Sequence, residues 1–546
     1  MNNNKSVSGN QGMVASSHPL ASEIGLQILQ QGGTAVDAAI AANATLGLSE
    51  PHMCGMGGDL FAIVWSAENS QLYGLNASGR SPASLDYESL RNRLQDEGHS
   101  SIPMQGLSSV SVPGAVDGWF ELHKRFGSLK FQELLEPVIE AAENGFKVTP
   151  VIAGEWQQFS DREKTSELGS FHDTYRPQGR APSNGEVFRN ADLANAYRLI
   201  AQEGRAGFYQ GELAEHICDF MAAEGGYLRR EDFTSHRSDW VMPLSVKYRG
   251  CDVYELPPNG QGLAALQMLS MMEGFDMKSA GFQSSEAMHF IIEAKKLAFE
   301  DRARFYADPD FSPAPLEALI SSSYARERAK LISTQAAQEV EAGDAVLRQS
   351  DTVYLTTADS RGNMVSLIQS IFHPFGSAVV VPGSGFALQN RGLLFSMDPQ
   401  HPNVYTPGKR PFQTIIPGFI MRDGKPFISF GVMGGDMQPQ GHAQVISNIL
   451  DFDMDLQDAG DVLRWRHDGS TQPTGKYDES LKDGGKLILE EGFSQELVDE
   501  LQKRGHQLGE DDMGFGFGGY QAIMVKQSGG YTGATENRKD GCVMAY

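Results

Sequence analysis

The chain changes character at residue 351. Upstream of this point apolar residues recur at helical spacing over long stretches, and downstream they form short runs between turn residues. Between the two parts lies a polar, acidic and alanine-rich segment, residues 334–350, which we interpret as flexible. A helix-rich part followed by a hairpin-rich part predicts an α+β protein, built as two domains or as two halves of one layered body.

The predicted elements follow from the two periodicities. Helical spacing is clearest over residues 19–31, 34–48, 131–144, 190–202, 261–273, 285–306, 438–450 and 494–503. Strand-like runs, most of them paired around turn residues, cover 60–65, 71–76, 352–357, 364–371, 415–421, 426–430, 520–525 and 531–534. From about residue 115 to residue 333 the pattern is mainly helical.

The charge balance restricts the class of partner. The 546 residues include 45 Lys and Arg against 69 Asp and Glu, a formal net charge of −24. Such a chain is repelled by nucleic acid and by anionic membranes, but a local arginine still allows a small anionic substrate. Residues 1–11 are polar and no apolar run approaches the roughly 18 residues of a spanning helix, so a cytoplasmic protein without membrane contact is expected.

Metal and cofactor motifs are incomplete in the sequence. His289 and Glu293 share a helical face but lack the second histidine of a zinc motif. The glycine-rich run 514–519 is followed by a strand-like segment, which favours a tight turn over a dinucleotide loop. No metal and no cofactor are therefore predicted. The cysteines have no pairing or metal-binding spacing and are expected to be free thiols: Cys54, Cys218, Cys251 and Cys542.

Thr352 begins a predicted strand directly after the polar segment. A threonine hydroxyl is a poor nucleophile unless a base lies beside it. Cleavage between Asp351 and Thr352 would free an α-amine, whose reference pKa of about 7.7–8.0 suits that task. The residues alone leave open whether Thr352 is such a nucleophile or an ordinary strand threonine.

A family resemblance bears on that choice. The run 351–355, with Asp359 and Gly362-Asn363, resembles the processing-site strand of the gamma-glutamyltransferase family. Further motifs of this family occur in the same order over nearly the whole chain, at 13–19, 32–39, 50–58, 112–114, 301–302, 409–411, 434–435 and 533–535.

The resemblance implies a fold and a mechanism. The implied fold is a four-layer αββα sandwich of the N-terminal-nucleophile hydrolase type, formed jointly by a heavy fragment, 1–351, and a light fragment, 352–546. A homodimer of such heterodimers is one expected assembly.

It also implies roles for single residues. By matching position, Thr352 is the residue that cuts before itself and the catalytic nucleophile, and Ser370 hydrogen-bonds and positions it. Gly434 and Gly435 would present N–H groups to the oxyanion. Arg80 matches the arginine that holds the substrate carboxylate.

The departures from the family pattern fall in the substrate pocket. Leu394 stands where a carboxylate is expected to hold the glutamyl α-amine, and Arg391 stands in place of a glutamine. Phe372 replaces an asparagine, and Gln413-Thr414 replaces two serines. Because leucine cannot bind an ammonium group and Arg80 is retained, the pattern favours a small amide acid such as oxamate. The sequence thus resembles the oxamate amidohydrolase-like branch of the family.

Three functions stay open at this point. The first is a threonine amidohydrolase or acyltransferase that mainly hydrolyses a carboxylate-bearing amide. The second is a true gamma-glutamyltransferase acting on glutathione, with Asp436 or another nearby acid in place of the missing carboxylate. The third is an unprocessed relative with a binding or structural role and no catalysis.

Overall fold

The computed structural model describes residues 6–162, 168–341, 352–511 and 516–546. Its strands, in chain order, are β1 Val7–Gly9, β2 Met13–Ser16, β3 Asp59–Ser66, β4 Gln71–Ala77, β5 Phe146–Lys147, β6 Val187–Phe188, β7 Asp239–Val241, β8 Leu244–Tyr248, β9 Cys251–Glu255, β10 Val353–Ala358, β11 Met364–Ser370, β12 Gly418–Arg422, β13 Lys425–Val432, β14 Trp465–Asp468, β15 Lys486–Leu489, β16 Tyr520–Val525, β17 Tyr531–Thr535 and β18 Cys542–Ala545.

Two seven-stranded antiparallel sheets are built from these strands. Sheet I has the order β18-β2-β10-β11-β3-β4-β7, and sheet II has the order β1-β17-β16-β13-β12-β9-β8. Each sheet contains strands from both sides of residue 351, and β10 pairs with β2 on one edge and with β11 on the other. The alternative of two separate domains is therefore wrong, and the chain forms one layered body.

The described α-helices are α1 Pro19–Gln30, α2 Ala35–Ser49, α3 Tyr87–Asp96, α4 Ala115–Phe126, α5 Phe131–Asn144, α6 Pro150–Arg162, α7 Phe171–Tyr175, α8 Ala191–Glu203, α9 Arg205–Tyr209, α10 Glu212–Ala223, α11 Arg230–Ser235, α12 Gly262–Met272, α13 Met277–Ala280, α14 Ser285–Phe305, α15 Leu316–Leu319, α16 Ser322–Ala329, α17 Met437–Leu450, α18 Asp458–Asp461 and α19 Gln495–Lys503. Two 3₁₀ turns span Leu107–Ser109 and Arg391–Leu394. Among the described helices, none is long and apolar enough to span a membrane.

Three apolar layers hold the sheets and helices together. Phe61 and Tyr354 of sheet I meet Phe419 and Ile523 of sheet II in a buried layer between the two sheets. Helices α2 and α4 cover the outer face of sheet I, and α12 and α17 cover the outer face of sheet II. This arrangement is the expected αββα sandwich.

Helix α2 fixes the position of the strand that begins at residue 353. Its alanine-rich surface is buried throughout, which lets it lie close to β10. The Thr357 hydroxyl donates to the Ala35 carbonyl at 2.6 Å, and the Asp359 carboxylate accepts from the Ala35 N–H at 2.9 Å. These bonds hold both the face and the end of β10.

One expectation from the sequence is confirmed with an addition, and another needs correction. The region 115–333 is mainly helical, as predicted, but it also contains the hairpin β8–β9, whose strands are five residues each and alternate buried with more exposed side chains. The segment interpreted as flexible is attached over residues 334–341, where the Ala336 N–H donates to the Arg504 carbonyl and the Val340 N–H to the Leu481 carbonyl. Backbone hydrogen bonds to residues distant in the sequence cannot be predicted from the amino-acid composition of a segment. Residues 342–350 and Asp351 lie outside the described residues.

Candidate active site

Thr352 directly precedes β10, and only 2% of it is exposed. Its Oγ1 lies 3.4 Å from Nε2 of Gln438, a residue in the first turn of α17. The Oε1 atom of Gln438 accepts from the Ile416 N–H at 2.9 Å, which turns the amide nitrogen of this side chain toward the threonine. The structure therefore places the expected nucleophile at the buried end of a central strand.

Ser370 lies at the end of the neighbouring strand. Val353 pairs with Gln369, so the same register continued by one residue sets Thr352 opposite Ser370. The Ser370 Oγ accepts from the Phe372 N–H at 2.8 Å. The structure thus brings together the two hydroxyl residues that the family resemblance singled out.

Gly434 and Gly435 form the turn between β13 and α17. Their φ angles are 108° and 53°, and a Cβ on Gly434 would come within 3.2 Å of the Gly518 backbone. The Gly434 carbonyl accepts from the Met437 N–H. Because the C=O and N–H of one trans peptide unit point in opposite directions, the Gly435 N–H points away from α17. The two glycines that the family resemblance singled out thus lie in a turn whose Gly435 N–H is directed away from the following helix.

Asp59 is a buried carboxylate that the sequence reasoning missed. It begins β3 and pairs across the sheet with Ser370. Its oxygens accept from the Gly79 N–H and from the amide nitrogens of Gln389 and Gln413. Burial raises the pKa of Asp59 to about 6, although Arg391 and these hydrogen bonds act to lower it. The signal in the sequence was a charged residue between the glycine-rich residues 54–58 and an apolar run.

Arg391 is fully buried beside this cluster. Its Nη1 donates to the Thr414 hydroxyl at 2.8 Å, and its guanidinium carbon lies 4.7 Å from the centre of the Phe372 ring. Its Nε and Nη2 atoms have no hydrogen-bond partner among the described residues. Burial lowers the pKa of Arg391 to about 9, with Asp59 opposing that shift. Arg391 is thus a buried guanidinium with one hydrogen-bonding edge that no described residue meets.

Arg80 is placed differently from Arg391. Its guanidinium donates to the Arg237 carbonyl and lies 3.5 Å from Asp239 and 4.0 Å from Asp310. The side chain is 23% exposed and lines a cavity of about 180 Å³. Burial and the neighbouring Arg410 lower its pKa. The backbone next to Arg80 touches the Asp59 cluster, but the charged group of Arg80 faces aspartates.

The remaining pocket residues expected from the sequence are apolar or already paired. Leu394 and Phe372 are both buried in the apolar layer that covers sheet II. Asp436, the acid considered as a substitute for the missing carboxylate, accepts from Arg302 at 2.7 Å and also from Gln472. These contacts fix Asp436 as the partner of a fully buried arginine.

A second histidine joins His289 and Glu293, against the expectation of an isolated pair. His506 approaches from α19's far end, and its Nε2 lies 2.9 Å from His289 Nδ1. Ligand atoms of the three residues lie within 4.8 Å of one another. His289 Nε2 donates to the Ser333 carbonyl at 2.7 Å, so its Nδ1 accepts from His506, and Lys296 pairs with Glu293 at 2.7 Å. The three groups thus already have partners. Through the Ser333 carbonyl and the Ala337 N–H, His289 and Glu293 hold residues 333–337 against α14.

The cysteines agree with the sequence expectation. All four are free thiols, three of them buried and Cys542 half-buried. Burial raises the pKa of Cys54 well above its usual range, which opposes thiolate chemistry at this position.

Two facing antiparallel sheets between helical layers, with a buried threonine at the start of a central strand, define a hydrolase of the N-terminal-nucleophile class. The model of the gamma-glutamyltranspeptidase family matches residues 21–546, and the chain belongs to this family.

The relatives of the chain are enzymes with different substrates. It is 38% identical to the glutathione hydrolase-like YwrD proenzyme of Bacillus subtilis (strain 168), over 99% of both chains. It is 33% identical to the oxamate amidohydrolase proenzyme of Klebsiella pneumoniae subsp. pneumoniae, over 98% of both chains. The solved structure of a cephalosporin acylase from Bacillus halodurans superposes with a TM-score of 0.91 at 42% identity, covering 100% of this chain and 98% of the other. The chain is therefore an enzyme of the same hydrolase type.

Proposed function

We propose that the enzyme cuts its own chain between Asp351 and Thr352 and then uses Thr352 to hydrolyse a small amide that carries a carboxylate. The position of Thr352 carries this proposal: buried, at the start of β10, next to Gln438 and opposite Ser370. The α-amine freed by the cut belongs to the same residue as the hydroxyl, so it is the nearest base available.

Self-cleavage begins with attack of the Thr352 hydroxyl oxygen on the Asp351 carbonyl carbon. The hydroxyl proton is transferred to the Thr352 nitrogen, the C–N bond breaks so that this nitrogen becomes the Thr352 α-amine, and the Asp351 acyl group moves to the oxygen as an ester. Water then hydrolyses the ester to the Asp351 carboxylate and the free hydroxyl. The products are a heavy fragment, 1–351, and a light fragment, 352–546.

Turnover repeats this chemistry on the substrate amide. The α-amine takes the Thr352 hydroxyl proton while the oxygen attacks, and the turn at Gly434 and Gly435 offers N–H groups to the resulting oxyanion. The leaving amine departs with the proton, and water releases the acyl group from the threonine. Ser370 holds the hydroxyl in position throughout.

The pocket supports an acyl group with a carboxylate and no α-amine. Leu394 and Phe372 are buried and apolar, and Asp436 is occupied by Arg302. An ammonium group left without a partner in such a pocket is strongly disfavoured. Arginine is suited to a carboxylate, and Arg391 and Arg80 are the candidates to bind it, with Gln413 and Thr414 beside Arg391. Oxamate is the smallest amide of this kind.

Denaturing gel electrophoresis with N-terminal sequencing tests the processing step. We expect two fragments, with Thr352 first in the smaller one. Thr352→Ala should stay a single inactive chain, whereas the control Thr356→Val, which removes a buried hydroxyl of the same strand, should still be cut. Cleavage of Thr352→Ala at this bond would remove the basis of the proposal.

A second candidate is hydrolysis of gamma-glutamyl compounds. The Oε1 atoms of Gln389 and Gln413 are buried acceptors without a partner among the described residues. Asp59 fixes their orientation, because an ionised carboxylate accepts hydrogen bonds and so binds the amide nitrogens. Two free acceptors could receive an α-ammonium group. Comparing ammonia release from oxamate with aniline release from a gamma-glutamyl anilide distinguishes the two candidates.

A further inference from the structure

We infer that one edge of Arg391, formed by Nε and Nη2, binds the substrate carboxylate, and that Arg80 does not. The inference rests on the proposed function and narrows it. The substrate class is then an amide whose acyl part ends in a free carboxylate, which a buried arginine beside Phe372 and Thr414 binds.

The free edge of Arg391 has the shape that a carboxylate requires. In a planar guanidinium the Nε hydrogen and one Nη2 hydrogen point the same way, spaced to meet the two oxygens of one carboxylate. Thr414 occupies the other nitrogen, Nη1, and the Phe372 ring covers the flat face. Only the two-pronged edge lacks a partner within the described part of the chain.

Leaving this edge empty is costly in a fully buried residue. A buried donor without a partner destabilises the fold by its full cost of desolvation, and this cost is larger when the group is charged. Asp59 does not fill the edge, because its oxygens bind the Gly79 N–H and the amides of Gln389 and Gln413. It balances the charge of the guanidinium from a distance and leaves the hydrogen-bonding edge unmet.

Two chains of contact connect Arg391 to the reacting residue. Phe372, stacked on the guanidinium, donates its N–H to Ser370, which lies opposite Thr352. Thr414, bound to Nη1, shares the amide of Gln261 with the Gly435 carbonyl. These contacts link Arg391 to the strand end opposite Thr352 and to the turn at Gly434 and Gly435.

The backbone conformation of Phe372, whose ring covers Arg391, also points to a functional site here. Its φ of 81° is in the left-handed region, which is costly for an aromatic residue and is found mainly at functional sites. Arg80, in contrast, faces Asp239 and Asp310, which would repel a second carboxylate. The contacts of the two arginines therefore favour Arg391 over Arg80 as the residue that binds the carboxylate.

The test uses the processed enzyme and two chromogenic amides, glutaryl-p-nitroanilide and pentanoyl-p-nitroanilide, which differ only in the terminal carboxylate. The measured quantity is the ratio of their kcat/KM values. Arg391→Gln should lower this ratio on the order of 100-fold, and Arg391→Lys should restore only part of it, since a lysine cannot make the paired contact. The matched variant Arg80→Gln should keep the ratio within about threefold of the wild-type value.

A binding measurement separates this inference from the proposed function. Free glutarate and free oxamate should raise the melting temperature of the wild type and of Arg80→Gln, and should raise that of Arg391→Lys less. If no amide is cleaved but this pattern is seen, the carboxylate site stands and the proposed reaction fails. If Thr352 forms an acyl-enzyme while the Arg391 variants keep the wild-type ratio, or if Arg80→Gln loses it, the inference is overturned and the reaction stands.

Discussion

His18 shows how burial makes a single residue sensitive to pH. Its Nδ1 caps α1 by accepting the Leu20 N–H, and the residue is 2% exposed. Burial lowers the pKa of His18 from 6.5 to about 4. Below pH 6.5 the unfolded chain therefore gains a proton that the folded protein refuses, and stability falls until pH reaches about 4.

His18→Asn should remove this pH dependence and keep the cap, because asparagine is a favoured N-cap residue. Between pH 7 and pH 5 the wild type should lose about 2 kcal/mol more of its free energy of unfolding than the variant does. Urea titrations at both pH values measure the difference, in which other titrating groups cancel. Equal pH dependence in the two proteins would show that His18 is protonated in the fold.

Among single residues, the sequence identified those that belong to motifs of the family. Ser370, Gly434 and Gly435 were named through the family resemblance, and the structure brings Ser370 to the residue proposed as nucleophile. Asp59 and His506 were not identified, because their partners lie 330 and 217 residues away and no local pattern records such pairings. The direction of the Arg80 side chain was equally hidden, since it depends on Asp239 in another strand.

Among the structural elements, the end of β11 packs against the glycine-rich residues 54–58. A Cβ on Gly58 would lie 2.3 Å from the Ser370 carbonyl oxygen, closer than any real contact. Gly58→Ala must therefore displace the end of β11 and with it Ser370. We expect a loss of about 1–3 kcal/mol in the free energy of unfolding and impaired self-cleavage.

Gly154→Ala is the matched control, since a Cβ there meets nothing within 4 Å and α6 should gain slightly from alanine. Gel analysis of cleavage and thermal unfolding of both variants decide the matter. Normal processing in Gly58→Ala would mean that β11 tolerates the shift and that Ser370 is not finely positioned.

The bounds of an element were predicted correctly where its apolar residues follow the helical or strand spacing over the whole segment. The helix Phe131–Asn144 and the strand Tyr520–Val525 have the bounds expected from the sequence. Short edge strands such as β1 and β7, three residues each, fall below the length at which alternation can be recognised. They exist because a neighbouring strand offers hydrogen bonds, which is information outside the local sequence.

For the whole molecule, the interleaved sheets determine what cleavage can do. Sheet I takes β10, β11 and β18 from the part after residue 351, and sheet II takes β1, β8 and β9 from the part before it. Neither part contains a complete sheet. Processed fragments should therefore stay together without a covalent link and unfold in a single calorimetric transition.

Expressing residues 1–351 and 352–546 separately tests this expectation. Each fragment alone should be insoluble or unfolded by circular dichroism, because it exposes unpaired strand edges and half of each apolar layer. Co-expression should restore a soluble complex. A fragment that folds alone with a cooperative transition would contradict the single-body architecture.

In the proposed site, the edge of Arg391 that no described residue meets makes thermal stability and substrate recognition conflict. Replacing a poorly compensated buried charge by an apolar residue of similar volume often stabilises a fold. A library screened only for survival at high temperature would therefore enrich methionine or leucine at position 391. Its most heat-stable members would be those that no longer recognise their substrate, so at position 391 selection for stability and selection for activity favour different residues.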